Sequence, residues 1–370
     1  MMKEFPLGFR EKLTFELRSL YNRYGYSLYS MSKFEEYDLY AGNKDFLISE
    51  GVITFMDTNG KLMALKPDVT LSIVKNTRDD TRAVQKLYYN ENVYRATKSI
   101  GAFREMMQVG LECLGTIDEY CLCEVLTLAA ETLRCVSGEW ILDISHQGLL
   151  AEVIDRAGIS REKKISAMKC IGEKNLHELM ALCRECGVSE EKAERLRQTA
   201  SLSGPAEQVL PVVRELTDSD TADRLLRVVK AVEPEELRAR IRFDFSAVDD
   251  IHYYNGIVFK GFVNTLPACV LTGGQYDNLM AKMGRKAGAI GFAVYMDALE
   301  GLEKRERDYD ADTLILYGDG TDLSVIRRRA RERMELGESV LVQQSRPENK
   351  RFRQVLRITD GEMKVIENDA

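Results

Sequence analysis

Long apolar segments are missing from this sequence of 370 residues. No stretch approaches the ~18 apolar residues that a membrane span needs, and MMKEFPLGFREKL at the start contains neither an apolar signal core nor a cleavage site. No repeat of ~20–50 residues is visible, which argues against solenoids and propellers. We therefore expect a globular, cytoplasmic protein whose 45% hydrophobic residues can bury a core.

An excess of positive charge is missing as well. The formal net charge is −7, which makes nucleic acid an improbable main partner. Histidine is scarce, and the three that occur (His146, His177 and His252) have no metal-ligand spacing. Cys183 and Cys186 form one CxxC without a second ligand pair, so the cysteines are interpreted as buried free thiols. Neither a metal nor another cofactor is predicted.

What the chain does contain is a series of strands that pair as hairpins. Asn59-Gly60 is a strong turn signal between residues 52–57 and 61–65. Two longer strands are predicted at 87–96 and 105–115. Further strands are predicted at 140–145, 240–246, 253–263 and 269–274. Hairpins favour an antiparallel sheet flanked by helices, in an α+β fold, over a doubly wound sheet.

Changes in composition divide the chain into regions. Residues 158–238 are helical and charged, and we predict that they form a helical insertion within a core of residues 1–306. Residues 307–370 are predicted to form a small C-terminal α/β domain. Its arginine-rich run, Arg327–Arg333, is interpreted either as a solvated helix face or as a docking surface for a partner or RNA.

One segment carries a recognisable motif. YYNENVYRATKSIGAFREMMQVGLECLG (88–115) resembles motif 2 of histidyl-tRNA synthetase, a class II aminoacyl-tRNA synthetase. The matching residues are Tyr94, Arg95, Gly101, Arg104, Glu105, Gln108, Gly110 and Glu112. Four further segments resemble the family in the same order: LKPDVT (65–70), HYYNGIVF (252–259), GGQYDNL (273–279) and GAIGFAVYMDAL (288–299). The resemblance covers roughly residues 1–305 and implies the class II synthetase fold.

The resemblance is incomplete at six positions that matter in the family. The motif 3 arginine and glycine fall at Ala298 and Tyr295, the glutamate and arginine of the motif 2 loop at Thr97 and Ala102, the arginine of the histidine motif at Asp249, and the motif 1 proline at Ser32. Adenylate formation builds negative charge that cations must meet. In the family these cations are the arginines of motif 2, the histidine motif and motif 3, and only the first of them remains here, as Arg95. Loss of one such donor typically lowers the rate by ~10²–10³. The resemblance therefore implies a fold without synthetase chemistry, and no catalytic residue is assigned.

The amino-acid pocket of the family is matched more completely. The resemblance implies that Asp68, Thr70 and Gln108 meet a ligand ammonium, whereas Glu112 and tyrosines meet an imidazole. Arg95 could hold the ligand carboxylate in place of the arginine lost at Asp249. The predicted ligand-binding residues are Asp68, Thr70, Arg95, Gln108, Glu112, Tyr253, Tyr254 and Tyr276. From the residues alone, Gln108 and Glu112 could equally form a solvated sheet face, and Tyr253 and Tyr254 could be ordinary strand aromatics.

A synthetase-like core that lacks synthetase chemistry is similar to the regulatory subunits of ATP phosphoribosyltransferase in histidine biosynthesis. This resemblance implies a non-catalytic protein that senses L-histidine and pairs with a short catalytic subunit of the transferase. Because the synthetase core pairs through motif 1, the stripe Phe9, Leu13, Leu17 and Leu20 is predicted to form the face of a homodimer. An amino-acid adenylating ligase and a ligand-free scaffold remain as alternatives.

Overall fold

A computed structural model describes residues 7–43, 47, 51–96, 102–247, 253–302, 309–359 and 361–368. The chain divides into two compact units. The larger unit is Phe9–Leu302, and the smaller one comprises Glu303–Ala370 together with Met1–Gly8. Within the described residues, no helix combines the length and the apolar character required to cross a membrane.

A nine-stranded sheet forms the centre of the larger unit. Its strands are β1 Ser27–Leu28, β5 Gln85–Ala96, β6 Phe103–Gly115, β7 Trp140–His146, β8 Ser203–Pro205, β9 Ile241–Asp244, β10 Ile257–Val263, β11 Leu271–Gln275 and β12 Gly288–Tyr295. They lie in the order β1-β5-β6-β12-β11-β10-β7-β9-β8. All neighbouring pairs are antiparallel except β1 with β5 and β7 with β9. The predicted antiparallel sheet is confirmed.

The two faces of this sheet differ because successive side chains of a strand point in opposite directions. On β6, Val109, Leu111 and Cys113 are buried in the main apolar core. That core is covered by helices α1 Phe9–Arg23 and α4 Glu119–Val136. Gln108 and Glu112 alternate with those apolar positions, so they lie on the other face of the sheet.

The N-terminal helix corrects one prediction. Leu13, Leu17 and Leu20 are all buried in the core of their own chain, which also contains residues of α4. The stripe is therefore not available as a homodimer face. A helical apolar period establishes that one face is buried, but the period cannot say whether the same chain or a second copy covers that face.

A small sheet precedes the long strands of the larger unit. It consists of β2 Phe34–Glu36, β3 Thr54–Met56 and β4 Leu62–Leu65 in the order β2-β4-β3. Strands β3 and β4 form the predicted hairpin, and Gly60 at φ +78° adopts the left-handed conformation that favours glycine in such a turn. Helix α2 Tyr37–Ala41 follows β2, and helix α3 Thr70–Asn76 follows β4.

The region 158–238 is almost entirely helical. Its helices are α6 Lys164–Gly172, α7 Leu176–Glu185, α8 Glu190–Ala200, α9 Ala206–Glu215, α10 Thr221–Lys230 and α11 Glu235–Arg238. Helix α5 Gln147–Ala157 leads into this region, and Ser203–Pro205 is its only strand among the described residues. Buried residues such as Leu179, Leu196 and Leu225 belong to the same apolar core as the large sheet.

The smaller unit contains a sheet of four strands and one helix. Its elements are β13 Ala311–Leu316, α13 Leu323–Glu335, β14 Val340–Gln343, β15 Phe352–Thr359 and β16 Glu362–Asn368. On α13, Arg329 and Arg331 form ion pairs with Glu332 and Glu335 of the same helix. These pairs agree with the interpretation of the arginine run as a solvated helix face.

Candidate functional site

A cavity of about 370 Å³ opens on the polar face of the large sheet. All eight residues predicted to bind a ligand line it: Asp68, Thr70, Arg95, Gln108, Glu112, Tyr253, Tyr254 and Tyr276. The remaining lining residues are Val69, Tyr89, Thr272, Gly291, Phe292, Ala293 and Tyr295. The structure therefore brings together side chains from segments far apart in the sequence.

Strand β6 contributes the two residues whose interpretation was open. Gln108 is 3% exposed and Glu112 is 2% exposed, and both line the cavity. A solvated sheet face would leave them accessible to water, so that alternative is wrong. Their spacing of four residues places them on the same side of the strand, about 13 Å apart along it.

The Glu112 carboxylate is held from both sides. The Thr70 hydroxyl donates to Oε1 at 2.7 Å, and the Tyr276 hydroxyl donates to Oε2 at 2.5 Å. Burial raises the pKa of Glu112 to about 8, and these two hydrogen bonds only partly oppose the shift. A group that is protonated near neutral pH can become a carboxylate when a ligand N–H or a cation binds beside it.

Gly291 makes room for this carboxylate. It lies directly opposite Glu112 in the β6–β12 pair. A Cβ atom at position 291 would lie 1.8 Å from Glu112 Oε2 and 2.4 Å from the carbonyl oxygen of Leu111. The sequence contained no local sign of this requirement, because the contact arises between strands that are distant in the chain.

A second carboxylate lies beside the start of α3. Asp68 Oδ1 accepts a hydrogen bond from the Leu71 backbone N–H at 2.8 Å, and Arg95 Nη2 lies 3.7 Å from Asp68 Oδ2. Burial raises the pKa of Asp68, although the nearby Arg95 guanidinium partly opposes this effect. Arg95 Nε also donates to the carbonyl oxygen of Pro67 at 2.6 Å. Arg95 is the one basic residue among the described residues that line the cavity.

Tyrosine rings form one wall of the cavity. The ring centroids of Tyr253 and Tyr254 are 4.7 Å apart, and those of Tyr253 and Tyr276 are 5.8 Å apart. Burial raises the pKa of both Tyr253 and Tyr276 well above the ordinary tyrosine value, so both hydroxyls stay protonated and can donate. Tyr253 is therefore part of the cavity wall as well as of the apolar cluster around it.

The sequence did not identify the residues at the opposite end of the cavity as part of the site. Tyr295 lies directly opposite Gln108 in the β6–β12 pair. Its hydroxyl is 2.6 Å from Thr272 Oγ1 on the neighbouring strand β11. Alternation along 288–295 could have indicated that Tyr295 shares a face with Gly291, but only the strand register reveals its place beside Thr272.

The departures from the synthetase pattern have different structural settings. Ala298 lies in the 3-10 helix Met296–Leu302, packs against the apolar core and does not line the cavity. Ser32 is exposed, and its Oγ accepts a hydrogen bond from the Phe34 backbone N–H at 3.3 Å. Thr97, Gly101, Asp249 and His252 lie outside the described residues.

The described residues contain no candidate metal site. No group of three or more His, Cys, Asp or Glu side chains is arranged there to hold an ion. The eight cysteines are all free thiols, and Cys183 is buried within α7.

We predict that Glu112 lowers the stability of the fold as the pH rises. Its pKa is about 8 in the folded protein and near 4.5 in a model peptide, so between these values the folded state binds more protons than the unfolded chain. The free energy of unfolding should therefore decrease from about pH 5 to pH 8. Glu112→Gln removes this penalty and should be more stable than the parent at pH 8, by up to ~4 kcal/mol.

Urea unfolding at pH 5.5 and pH 8 measures this difference. Glu105→Gln is the matched control, because Glu105 lies on the same strand but is exposed and bonded to Asn92 and Tyr94. Equal stabilities of parent and Glu112→Gln at pH 8 would mean that folding does not raise the pKa of Glu112.

Comparisons with known proteins agree with this architecture. The sequence profile of the histidyl-tRNA synthetase family matches residues 7–299. The ATP phosphoribosyltransferase regulatory subunit of Caldanaerobacter subterraneus subsp. tengcongensis is 29% identical over 88% of this chain and 86% of that protein.

Two solved structures share the fold. One is described as an ATP phosphoribosyltransferase regulatory subunit/histidyl-tRNA synthetase from Bacillus halodurans, with a TM-score of 0.72, 24% identity and 93% of each chain covered. The other belongs to an ATP phosphoribosyl transferase complex from Thermotoga maritima, with a TM-score of 0.62 and 19% identity, and covers 78% of this chain and 97% of that one. At these identities the likeness establishes the fold.

Proposed function

Because this chain belongs to the histidyl-tRNA synthetase family, we propose that it keeps the family's pocket for free L-histidine and acts as the non-catalytic regulatory subunit of an ATP phosphoribosyltransferase. The observation that carries the proposal is the cavity itself. All eight predicted ligand-binding residues line it, while none of the residues at positions 295, 298 or 249 is the one that synthetase chemistry uses.

The chemistry of the cavity supports an amino acid with a hydrogen-bonding, basic side chain. Asp68 and Glu112 supply two buried acceptors, and Thr70, Tyr276 and Tyr253 supply hydroxyls around them. An ammonium group beside Asp68 and an imidazole N–H beside Glu112 would each gain a charge-assisted hydrogen bond. A volume of about 370 Å³ falls in the range of small-molecule sites.

A regulatory role is supported by the curated relative, which carries the name ATP phosphoribosyltransferase regulatory subunit. The partner we propose is a short-form catalytic subunit, in a cytoplasmic hetero-oligomer that senses histidine. Coupling between two binding sites is reciprocal. Ligands of the catalytic subunit must therefore change the affinity of this chain for histidine by the same factor by which histidine changes the affinity of the catalytic subunit for those ligands.

The domain division forms part of the proposal. Residues 1–306 would be the synthetase-like core, with residues 158–238 as its insertion. Residues 307–370 would be a small C-terminal α/β domain.

Assembly with the catalytic subunit tests the regulatory role. We expect the purified full chain to co-sediment with the short-form catalytic subunit of the same organism and to make its activity sensitive to histidine. The catalytic subunit alone provides the baseline. A catalytic subunit whose activity and histidine response are the same with and without this chain would contradict the proposal.

We also propose that the chain forms a homodimer through the exposed face of the three-stranded sheet β2-β4-β3, and not through the buried stripe of α1. Phe34 and Phe55 form an edge-to-face pair at 5.6 Å, and Met56 is 61% exposed. Patches of this kind typically mark interaction surfaces. We predict that the parent sediments as a dimer at micromolar concentration and that Phe34→Asp shifts it to monomers.

Leu323→Asp is the matched control for this experiment, because Leu323 is also an exposed apolar residue but lies on α13 of the smaller unit. It should leave the dimer intact. A parent that sediments as a monomer, or a Phe34→Asp variant that stays dimeric, would count against the small sheet as the interface.

Simple measurements distinguish the proposed regulatory subunit from two alternatives, an amino-acid adenylating ligase and a ligand-free scaffold. An amino-acid adenylating ligase would exchange pyrophosphate into ATP in the presence of its amino acid. A ligand-free scaffold would give no heat on titration with histidine.

A further inference from the structure

The residues that line the cavity differ in how far they lie from solvent. Glu112, Tyr276 and Gly291 are buried, as are most of the others. Four of the described lining residues are only half-buried and form the rim of the cavity: Tyr254, Thr272, Ala293 and Tyr295. A ligand whose imidazole lies beside Glu112 therefore has its opposite end toward this rim.

The strand register sets the distance from Glu112 to the rim. Three residue pairs follow one another along β6 and β12: Glu112 with Gly291, Gly110 with Ala293, and Gln108 with Tyr295. Successive pairs are about 6.5 Å apart. Its bond lengths give histidine about the same length from the far imidazole nitrogen to the carboxylate. A histidine bound beside Glu112 would thus end near Ala293, one pair before Tyr295.

The side chain of Tyr295 reaches back toward Ala293. Its hydroxyl lies 2.6 Å from Thr272 Oγ1. Because Thr272 is paired with Ala293, the tyrosine ring runs along the rim from the third of these residue pairs toward the second. Gly291 and Ala293 have little or no side chain and leave room for a ligand, whereas the ring occupies the space beyond it. The hydrogen bond at its far end holds the ring in this place.

We propose that the ring of Tyr295 limits the cavity to a free amino acid and excludes ligands extended at the carboxyl group, such as a peptide that begins with histidine. This inference rests on the proposed binding of histidine. A steric obstacle discriminates between two ligands without a hydrogen bond to either of them. A sensor of free histidine needs such an obstacle, because a peptide with an N-terminal histidine offers the same amino and imidazole groups. The sequence identified Tyr295 only as a departure from a family glycine, which would leave this space open.

Calorimetric titration of the full chain with L-histidine, L-histidinamide and L-histidine β-naphthylamide tests the proposal. The two amides both lack the carboxylate charge and differ only in the bulky naphthyl group. We expect the parent to bind the naphthylamide at least about a hundredfold more weakly than histidinamide. Tyr295→Ala removes the ring and should bind the naphthylamide at least about tenfold more tightly than the parent does. Tyr295→Phe keeps the ring without its hydroxyl and should bind the naphthylamide as weakly as the parent.

The other outcomes would overturn the proposal in distinguishable ways. If Tyr295→Ala binds L-histidine but gains nothing for the naphthylamide, the ring is not the obstacle. A gain that histidinamide shares in full would come from a general change of the cavity and not from the removed bulk. A parent that binds both amides equally would show that the cavity is not limited at this rim. A parent that binds none of the three ligands would remove the proposed function itself. Should Tyr295→Ala not fold by circular dichroism, Tyr295→Leu takes its place with the same expectation, because leucine is also much shorter than tyrosine.

Discussion

Histidine-dependent ATP–pyrophosphate exchange by this chain is expected to remain at least ~10⁴-fold below that of an active histidyl-tRNA synthetase. Adenylate formation concentrates negative charge on the phosphates and on the attacking carboxylate. Arg95 is the one cation among the described residues that line the cavity, and it is engaged by Pro67 and Asp68. Each missing donor typically costs ~10²–10³ in rate, and two positions are lost, at Ala298 and Asp249.

Ala298 gives this expectation its structural basis. The residue lies in the 3-10 helix Met296–Leu302 and packs against the apolar core. Its side chain therefore does not line the cavity. The exchange assay should be run with each of the twenty amino acids and with an active histidyl-tRNA synthetase as the positive control. Turnover above background with any amino acid would mean that the chain is a ligase and not a pure regulatory subunit.

Replacement of Glu112 by glutamine is expected to weaken histidine binding roughly ten- to a hundredfold. A hydrogen bond to a charged group is worth ~1.5–3 kcal/mol, which corresponds to that range. The Glu112 carboxyl group accepts hydrogen bonds from Thr70 and Tyr276, and only its ionised form can also accept an imidazole N–H at either oxygen. Glutamine has one acceptor oxygen, and its NH₂ would face a ligand donor.

Calorimetry measures this loss, with Glu105→Gln on the exposed part of the same strand as the control. In the assembled transferase, Glu112→Gln should reduce the response to histidine and leave the rate without histidine nearly intact. The same variant should be more stable than the parent at pH 8, which excludes unfolding as the cause of weak binding. A Glu112→Gln protein that binds histidine as tightly as the parent would show that the ligand lies elsewhere.

The opposite effects of this one substitution have a common origin. A carboxyl group as deeply buried as Glu112 is costly to ionise, which destabilises the fold above about pH 5. The same burial strengthens any hydrogen bond that a ligand makes to it, because the local dielectric constant is low. We therefore expect ligand binding and intrinsic stability to respond in opposite directions at this position.

Local patterns in the sequence were sufficient to predict hairpins and an antiparallel sheet. Hairpin turns such as Asn59-Gly60 predicted antiparallel pairing, and the structure has β3 and β4 paired as expected. Alternation along β6 placed Gln108 and Glu112 on one face, and five motifs in the right order identified the fold. These features are determined by residues that are close in the chain, because turn conformation and strand alternation are local properties of the backbone.

Only the tertiary structure decided which residues cover each helix or sheet face. The stripe of Leu13 and Leu17 was correctly recognised as a face to be buried, yet it is covered by the chain's own core and not by a second copy. Whether Glu112 was solvated or buried also depended on Thr70, at the start of α3, and on Tyr276, both of which donate hydrogen bonds to it. Neither question can be answered from periodicity, which records that a face is distinct but not what lies against it.

Through its resemblance to the histidyl-tRNA synthetase family, the sequence by itself determined the fold and eight of the residues that line the cavity. The tertiary structure decided the role of Gly291, the meeting of Tyr295 with Thr272 and the raised pKa of Glu112. These three depend on strand register and on complete burial. Both are set by contacts between segments separated by tens to hundreds of residues, and no local pattern of amino acids encodes them.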